Sequence, residues 1–175
     1  MESKADHITE NWFHKEAQPL FDELQKESER GRVLLGAAFL NDVLREILAS
    51  FLRSDQNAVD ELLGDNKPLS TFHSRIALCY CLGLITKREY CDLNNINRMR
   101  NYFAHRRQSL SFADQKISHL CGSLQTFHGL KNTGLYKAMR GQPGGRFLVT
   151  VAILVGLLSV RVSSIKPVIP DERSS

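Results

Sequence analysis

Residues 86–105 read TKREYCDLNNINRMRNYFAH, and this stretch decides the fold. Thr86 and Glu89 stand at capping-box spacing. The Thr86 hydroxyl can accept from the Glu89 amide while the Glu89 carboxylate reaches back to the Thr86 amide. Behind the box, Tyr90, Leu93, Ile96, Met99 and Phe103 recur at three- and four-residue steps, the period of one α-helical face. The spacing predicts a helix from the box to about His105.

Outward from it the same period holds. Trp12, Phe13, Ala17, Leu20, Phe21 and Leu24 give an amphipathic first helix that Pro19 starts or kinks. A long second helix is predicted over Arg32 to Leu52, facing the core with Val33, Ala37, Leu40, Leu44, Ile47, Leu48 and Phe51. A short one follows over Asn57–Leu63, ended by Gly64 in the left-handed C′ position. Ser70 caps a helix carrying Phe72, Ile76, Ala77 and Tyr80, stopped by Gly83. Ser111 caps another from Phe112 to about Leu124, with Asp114 in its first turn. The glycine-rich, basic run Gly141 to Arg146 reads as a flexible connection to an apolar last helix. No stretch alternates with period two and no repeat is visible. The expectation is an all-α, single-domain helical bundle over residues 1–162, with a flexible tail over 163–175.

At 175 residues, 42% hydrophobic and 24% charged, the chain can bury a core without staples. The composition excludes a disulfide miniprotein, a collagen and a large two-domain enzyme. No basic, apolar leader opens the sequence. The apolar run Phe147–Val160 falls short of the roughly 20 residues that span a bilayer, so a buried core helix, a cytoplasmic location and no membrane contact are expected. Cys79, Cys81, Cys91 and Cys121 form no C-x-x-C pair and read as small buried thiols. His119 with Cys121, and His73 with Cys79, lack a full ligand set, so no metal and no cofactor is expected. Neither a Walker pattern nor a nucleophile elbow is present.

Charge is unevenly spread. Residues 1–64 hold 7 Lys/Arg against 13 Asp/Glu, and residues 65–175 hold 16 against 6, which together give the net +4. Much of the basic excess sits in a stretch without carboxylates between Asp92 and Asp114. There Arg98, Arg100, Arg106 and Arg107 join Asn94, Asn95, Asn97, Asn101 and His105. Asn94, Arg98, Asn101 and His105 are spaced i, i+4, i+7, i+11 and share one helical face. Such a face can be a merely solvated one. Its histidine, amides and guanidinium groups are also parts for binding a phosphate or moving a proton beside it.

Two resemblances bear on this face. Arg100-Asn101-Tyr102-Phe103-Ala104-His105 resembles the Arg–polar–x–x–x–His signature of HEPN domains, small helical bundles many of which cleave RNA without metal at a homodimer interface. That likeness implies Arg100 holding the scissile phosphate, Asn101 orienting it and His105 as general acid or base. On a regular helix Arg100 and His105 are about 140° apart, so they converge only where the helix loosens or across a dimer. The second resemblance is longer. Leu62-Leu63-Gly64, Lys67-Pro68-Leu69-Ser70, Arg75-Ile76, Tyr80 to Ile85, Glu89-Tyr90, Arg98 to His105 and Phe112-Ala113-Asp114 resemble the mannitol operon repressor (MtlR) family in order and spacing. It implies a regulatory protein acting in transcription, through a protein partner or nucleic acid; the polar face itself offers Asn94, Arg98, Arg106 and Arg107 as candidate binding residues. A homodimer is the expected assembly, since the apolar last helix suits burial on all sides. No helix-turn-helix is evident around Gly83. The rival reading is a metal-independent ribonuclease built on Arg100, Asn101 and His105.

Overall fold

A computed structural model of the chain describes residues 17–52, 55–105 and 110–169. These residues contain nine helices and no strand. In chain order they are α1 (Gln18–Gln25), α2 (Glu29–Phe51), α3 (Gln56–Leu63), α4 (Phe72–Cys81), α5 (Lys87–His105), α6 (Gln115–Gly122), α7 (Gln125–His128), α8 (Gly134–Met139) and α9 (Pro143–Val162).

The two longest helices organise the rest. α2 packs along α9 on one side and against α4 and α5 on the other, while α1, α6, α7 and α8 close around α9. Gly36 of α2 faces Val151 and Phe147 of α9, with no side chain of its own to hold the two helices apart. One continuous core results. It takes Leu40, Leu44 and Ile47 from α2, Leu93, Ile96, Met99 and Phe103 from α5, and Phe147, Val151 and Leu154 from α9. Among the described residues α9 alone is long and apolar enough to cross a membrane. Here it is the central core helix, with eleven residues buried against its own chain. Its apolar surface is therefore met inside one protomer and gives no argument for self-association.

The helix ends follow local chemistry. The box before α5 forms as the sequence predicts: the Thr86 amide donates to Glu89 Oε2 at 2.6 Å, and the Glu89 amide to Thr86 Oγ1 at 3.3 Å. Gly83 stops α4 in the left-handed region at φ 71°. Its amide donates to the Tyr80 carbonyl while the Leu84 amide reaches the Cys79 carbonyl, the paired bonds of a Schellman motif. A Cβ at Gly83 would meet nothing within 4 Å, so Gly83→Ala carries a backbone cost alone, about 1 kcal/mol. Thermal unfolding should fall by roughly 2–4 °C, and an unchanged midpoint would contradict this account.

Other boundaries differ from expectation. Gly64 is extended, at φ −66° and ψ 173°, and the positive φ nearby belongs to Asn66. Thr71, one residue after Ser70, caps α4 by accepting from the Ser74 amide. Ser111 does not open α6. Its amide donates to Asp114 Oδ2 at 2.6 Å, and the helix starts after Asp114. The predicted helix to Leu124 breaks at Ser123, and α7 follows as a separate turn. Pro143 to Arg146 form the first turn of α9, where proline lacks only an amide that would be unpaired anyway. Pro19 likewise lies in the first turn of α1. Trp12 and Phe13 lie outside the described residues. In the tail, the Val168 amide donates to the Phe51 carbonyl at 2.8 Å and Ile165 packs against the core.

Candidate functional site: the exposed face of helix α5

Helix α5 is held by its first half. Glu89 and Asp92 are both buried on an otherwise apolar face. Glu89 meets the Arg161 guanidinium in a two-pronged pair, Arg161 Nη2 to Oε1 at 2.7 Å and Nη1 to Oε2 at 2.9 Å. Burial alone would push the Glu89 carboxyl up, but the Arg161 and Thr86 hydrogen bonds outweigh it and hold it below its ordinary value. Asp92 accepts the Gln125 amide at 2.8 Å and the Thr126 amide at 2.7 Å, capping α7 from a neighbouring helix. Burial raises the Asp92 carboxyl above its ordinary value despite those bonds. The helix's own acids are thus spent on the fold.

The second half presents the polar face. Asn94, half-buried, donates to the Tyr90 carbonyl at 2.9 Å, so its amide serves the helix backbone. Arg98, Arg100, Asn101 and His105 are exposed. Arg100 Nη1 donates to Asn101 Oδ1 at 3.0 Å. Neither Arg98 nor Arg100 is ion-paired with a described carboxylate. The helix runs unbroken through His105, so Arg100 and His105 diverge around its axis by about 140° within one chain. The structure therefore joins Arg100 to Asn101 and leaves His105 apart. Arg106 and Arg107 lie outside the described residues.

Two grooves flank Asn101. One, of about 730 Å³ between α5 and α6, is lined by Arg98, Asn101, Tyr102, Gln115, Lys116, His119 and Leu120. The other, of about 860 Å³, lies between α2, the start of α4 and α5, and includes Asn41, His73, Asn97 and Arg100. No Asp or Glu lines either groove among the described residues. Lys116 and His119 were invisible as partners of Arg98 from sequence. Their spacing to Leu120 and Gln115 puts them on one face of α6, but nothing local says that this face meets α5.

Elsewhere the expected chemistry resolves into packing. Arg75, which could pair with the acidic front helices, forms no ion pair among the described residues. Its guanidinium donates to the carbonyls of Leu69 at 2.8 Å, Leu63 at 3.0 Å and Asn41 at 3.4 Å, and desolvation, with Arg45 nearby, lowers its pKa. Cys79 and Cys121 are buried, and burial pushes each thiol up to about 12. Cys81, by contrast, is exposed and Cys91 half-buried. His119 is exposed while Cys121 is buried, so those two do not converge. Among the described residues no three His, Cys, Asp or Glu cluster as metal ligands.

No curated protein matches the sequence. Among solved structures the chain is similar to that of the MtlR–HPr complex from Escherichia coli, with a TM-score of 0.63 at 21% identity, covering 84% of this chain and 98% of that one. It is also similar to YggD from Shigella flexneri, described as a possible transcriptional regulator, with a TM-score of 0.66 at 19% identity, covering 83% and 96%. At such identities the likeness is one of fold. A family profile described as mannitol repressor matches residues 17–152, from just before α1 into the middle of α9. On that match the chain belongs to the mannitol repressor (MtlR) family.

Proposed function

We propose that this protein is a cytoplasmic regulator that acts on transcription through a protein partner, docked in the groove between α5 and α6. Family membership supports the regulatory role, and the solved MtlR relative is a complex with the protein HPr. The observation that carries the docking site is the groove's make-up. The half-buried Tyr102 and Leu120 give it apolar surface, the exposed Arg98 and Lys116 give it positive charge beside His119, and no described carboxylate lines it. Apolar surface set beside charged groups is the anatomy of a protein interface. The sign selects a partner with an acidic edge.

Titration calorimetry with purified HPr tests this. Binding should weaken as salt rises, and the double variant Arg98→Glu/Lys116→Glu should lose at least about tenfold in affinity, or 1.4 kcal/mol. Equal affinity in the double variant removes the groove from the proposal, and no binding by the native chain removes the partner. Binding of duplex DNA with a steep salt slope would replace the protein partner by nucleic acid.

The ribonuclease reading needs a second chain, because a homodimer is what would bring another His105 to Arg100. Incubation with mixed RNA in EDTA should give no cleavage. Cleavage abolished by His105→Ala would establish the nuclease instead.

A further inference from the structure

We infer that the second groove, between α2, the start of α4 and α5, binds a small phosphate ester that carries hydroxyl groups. Four observations converge on it. The groove holds about 860 Å³, within the range of about 300–1,000 Å³ typical of small-molecule sites. Its fixed charge is positive: Arg100 lines one wall, the exposed His73 lies on another, and no carboxylate is among the described lining. The Arg100 guanidinium gives one N–H to Asn101 and keeps the rest of its planar fork for an anion, the geometry that suits phosphate oxygens.

The third observation is an acceptor. Asn41 lines the groove, and its Oδ1, turned inward and buried, accepts no hydrogen bond from the described residues; rotating the side-chain amide brings this acceptor round to the groove. Buried polar atoms are nearly always paired, and a ligand hydroxyl is a donor of the right kind. Asn97 of α5 and Ser70, just before α4, add further amide and hydroxyl groups to the lining. Fourth, the mouth stays open because the residues there are small. Ala38 and Ala104 are exposed alanines on facing helices, where longer side chains would fill the space. A guanidinium on one wall and amide and hydroxyl groups from the three surrounding elements select a phosphate ester over a bare anion or a neutral sugar. This site is separate from the α5–α6 groove, sharing only Asn101.

Calorimetric titration of the full chain with a hexose phosphate, the free hexose and inorganic phosphate tests the inference. Saturable binding of the ester is expected, at least tenfold tighter than either fragment. Ala38→Leu should weaken the ester at least tenfold while leaving the circular dichroism spectrum and HPr affinity unchanged, since position 38 is an exposed helical site away from the other groove. Arg100→Gln should weaken it by a similar factor. Equal binding by the Ala38→Leu variant, or no saturable binding at millimolar ester, overturns the proposal. So does inorganic phosphate binding as tightly as the ester, which would leave only a bare anion site.

Discussion

Replacing Asp92 by alanine lowers the thermal unfolding midpoint by roughly 6–12 °C, the shift that about 3 kcal/mol produces in a chain of this length. Asp92 is fully buried and accepts two backbone amides, those of Gln125 and Thr126. Alanine leaves both donors in a dry site, at about 1–3 kcal/mol each, offset in part because a buried charge disappears with them. Asp92→Asn keeps one acceptor but turns a donor toward the other amide, so about 2 kcal/mol is expected. The pH dependence gives an independent check. The folded-state carboxyl sits above its ordinary value, so the folded chain holds that proton more tightly than the unfolded one. Its contribution is full below the ordinary carboxyl value and declines as pH rises through the raised one. The stability gap between the native chain and Asp92→Asn should therefore widen as the solution is acidified, and a gap that narrows would refute the account.

The same residue shows where sequence reading stopped. The capping box, the buried run from Leu93 to Phe103 and the left-handed Gly83 were legible because each is written within a few neighbouring residues. Asp92 was not. It sits on the helix face that periodicity assigns to the core, next to Leu93, and its partners are more than thirty residues away. The break at Ser123 is the other half of that fact, since the cap that lets α7 start afresh comes from Asp92 and not from α6. Ser111 misled for a related reason. A hydroxyl at cap spacing was present, but Asp114 took the Ser111 amide and became the cap position itself.

The candidate site was half legible. Helical spacing put Arg98, Asn101 and His105 on one face, and the carboxylate-free stretch was visible in composition. What spacing leaves open is which helices stand beside that face, and those decide that Asn101 sits between two grooves. The absence of acids there also gains a cause. The two carboxylates of α5, Glu89 and Asp92, lie in its first half and are committed to Arg161 and to α7. The second half is left cationic and exposed, with His105 at its end.

Removing Arg161 should destabilise the chain nearly as much as losing Asp92. Arg161 stands in the last turn of α9, where a cation suits the helix dipole. It closes a two-pronged pair on Glu89 and also donates to the Leu84 carbonyl at 2.9 Å. The Glu89 side chain is only 7% exposed, so Arg161→Met strands a buried carboxylate at a cost of about 3 kcal/mol. Glu89→Gln should cost less, about 1–2 kcal/mol, because glutamine keeps the capping box and Arg161, 29% exposed, retains some water. The double variant is the decisive one. With no charge left to strand, it should be more stable than the sum of the single losses allows, by about 1–2 kcal/mol. Urea unfolding of the four proteins measures that coupling, and strict additivity would mean the pair contributes nothing beyond its separate contacts. Here pH acts with the opposite sign to Asp92. The Glu89 carboxyl lies below its ordinary value, so its stabilisation is present above that ordinary value and is lost as pH falls through the lowered one. The gap between the native chain and Glu89→Gln should therefore shrink on acidification while the Asp92→Asn gap widens. Two buried carboxylates one helical turn apart would then be told apart by the direction of a single titration.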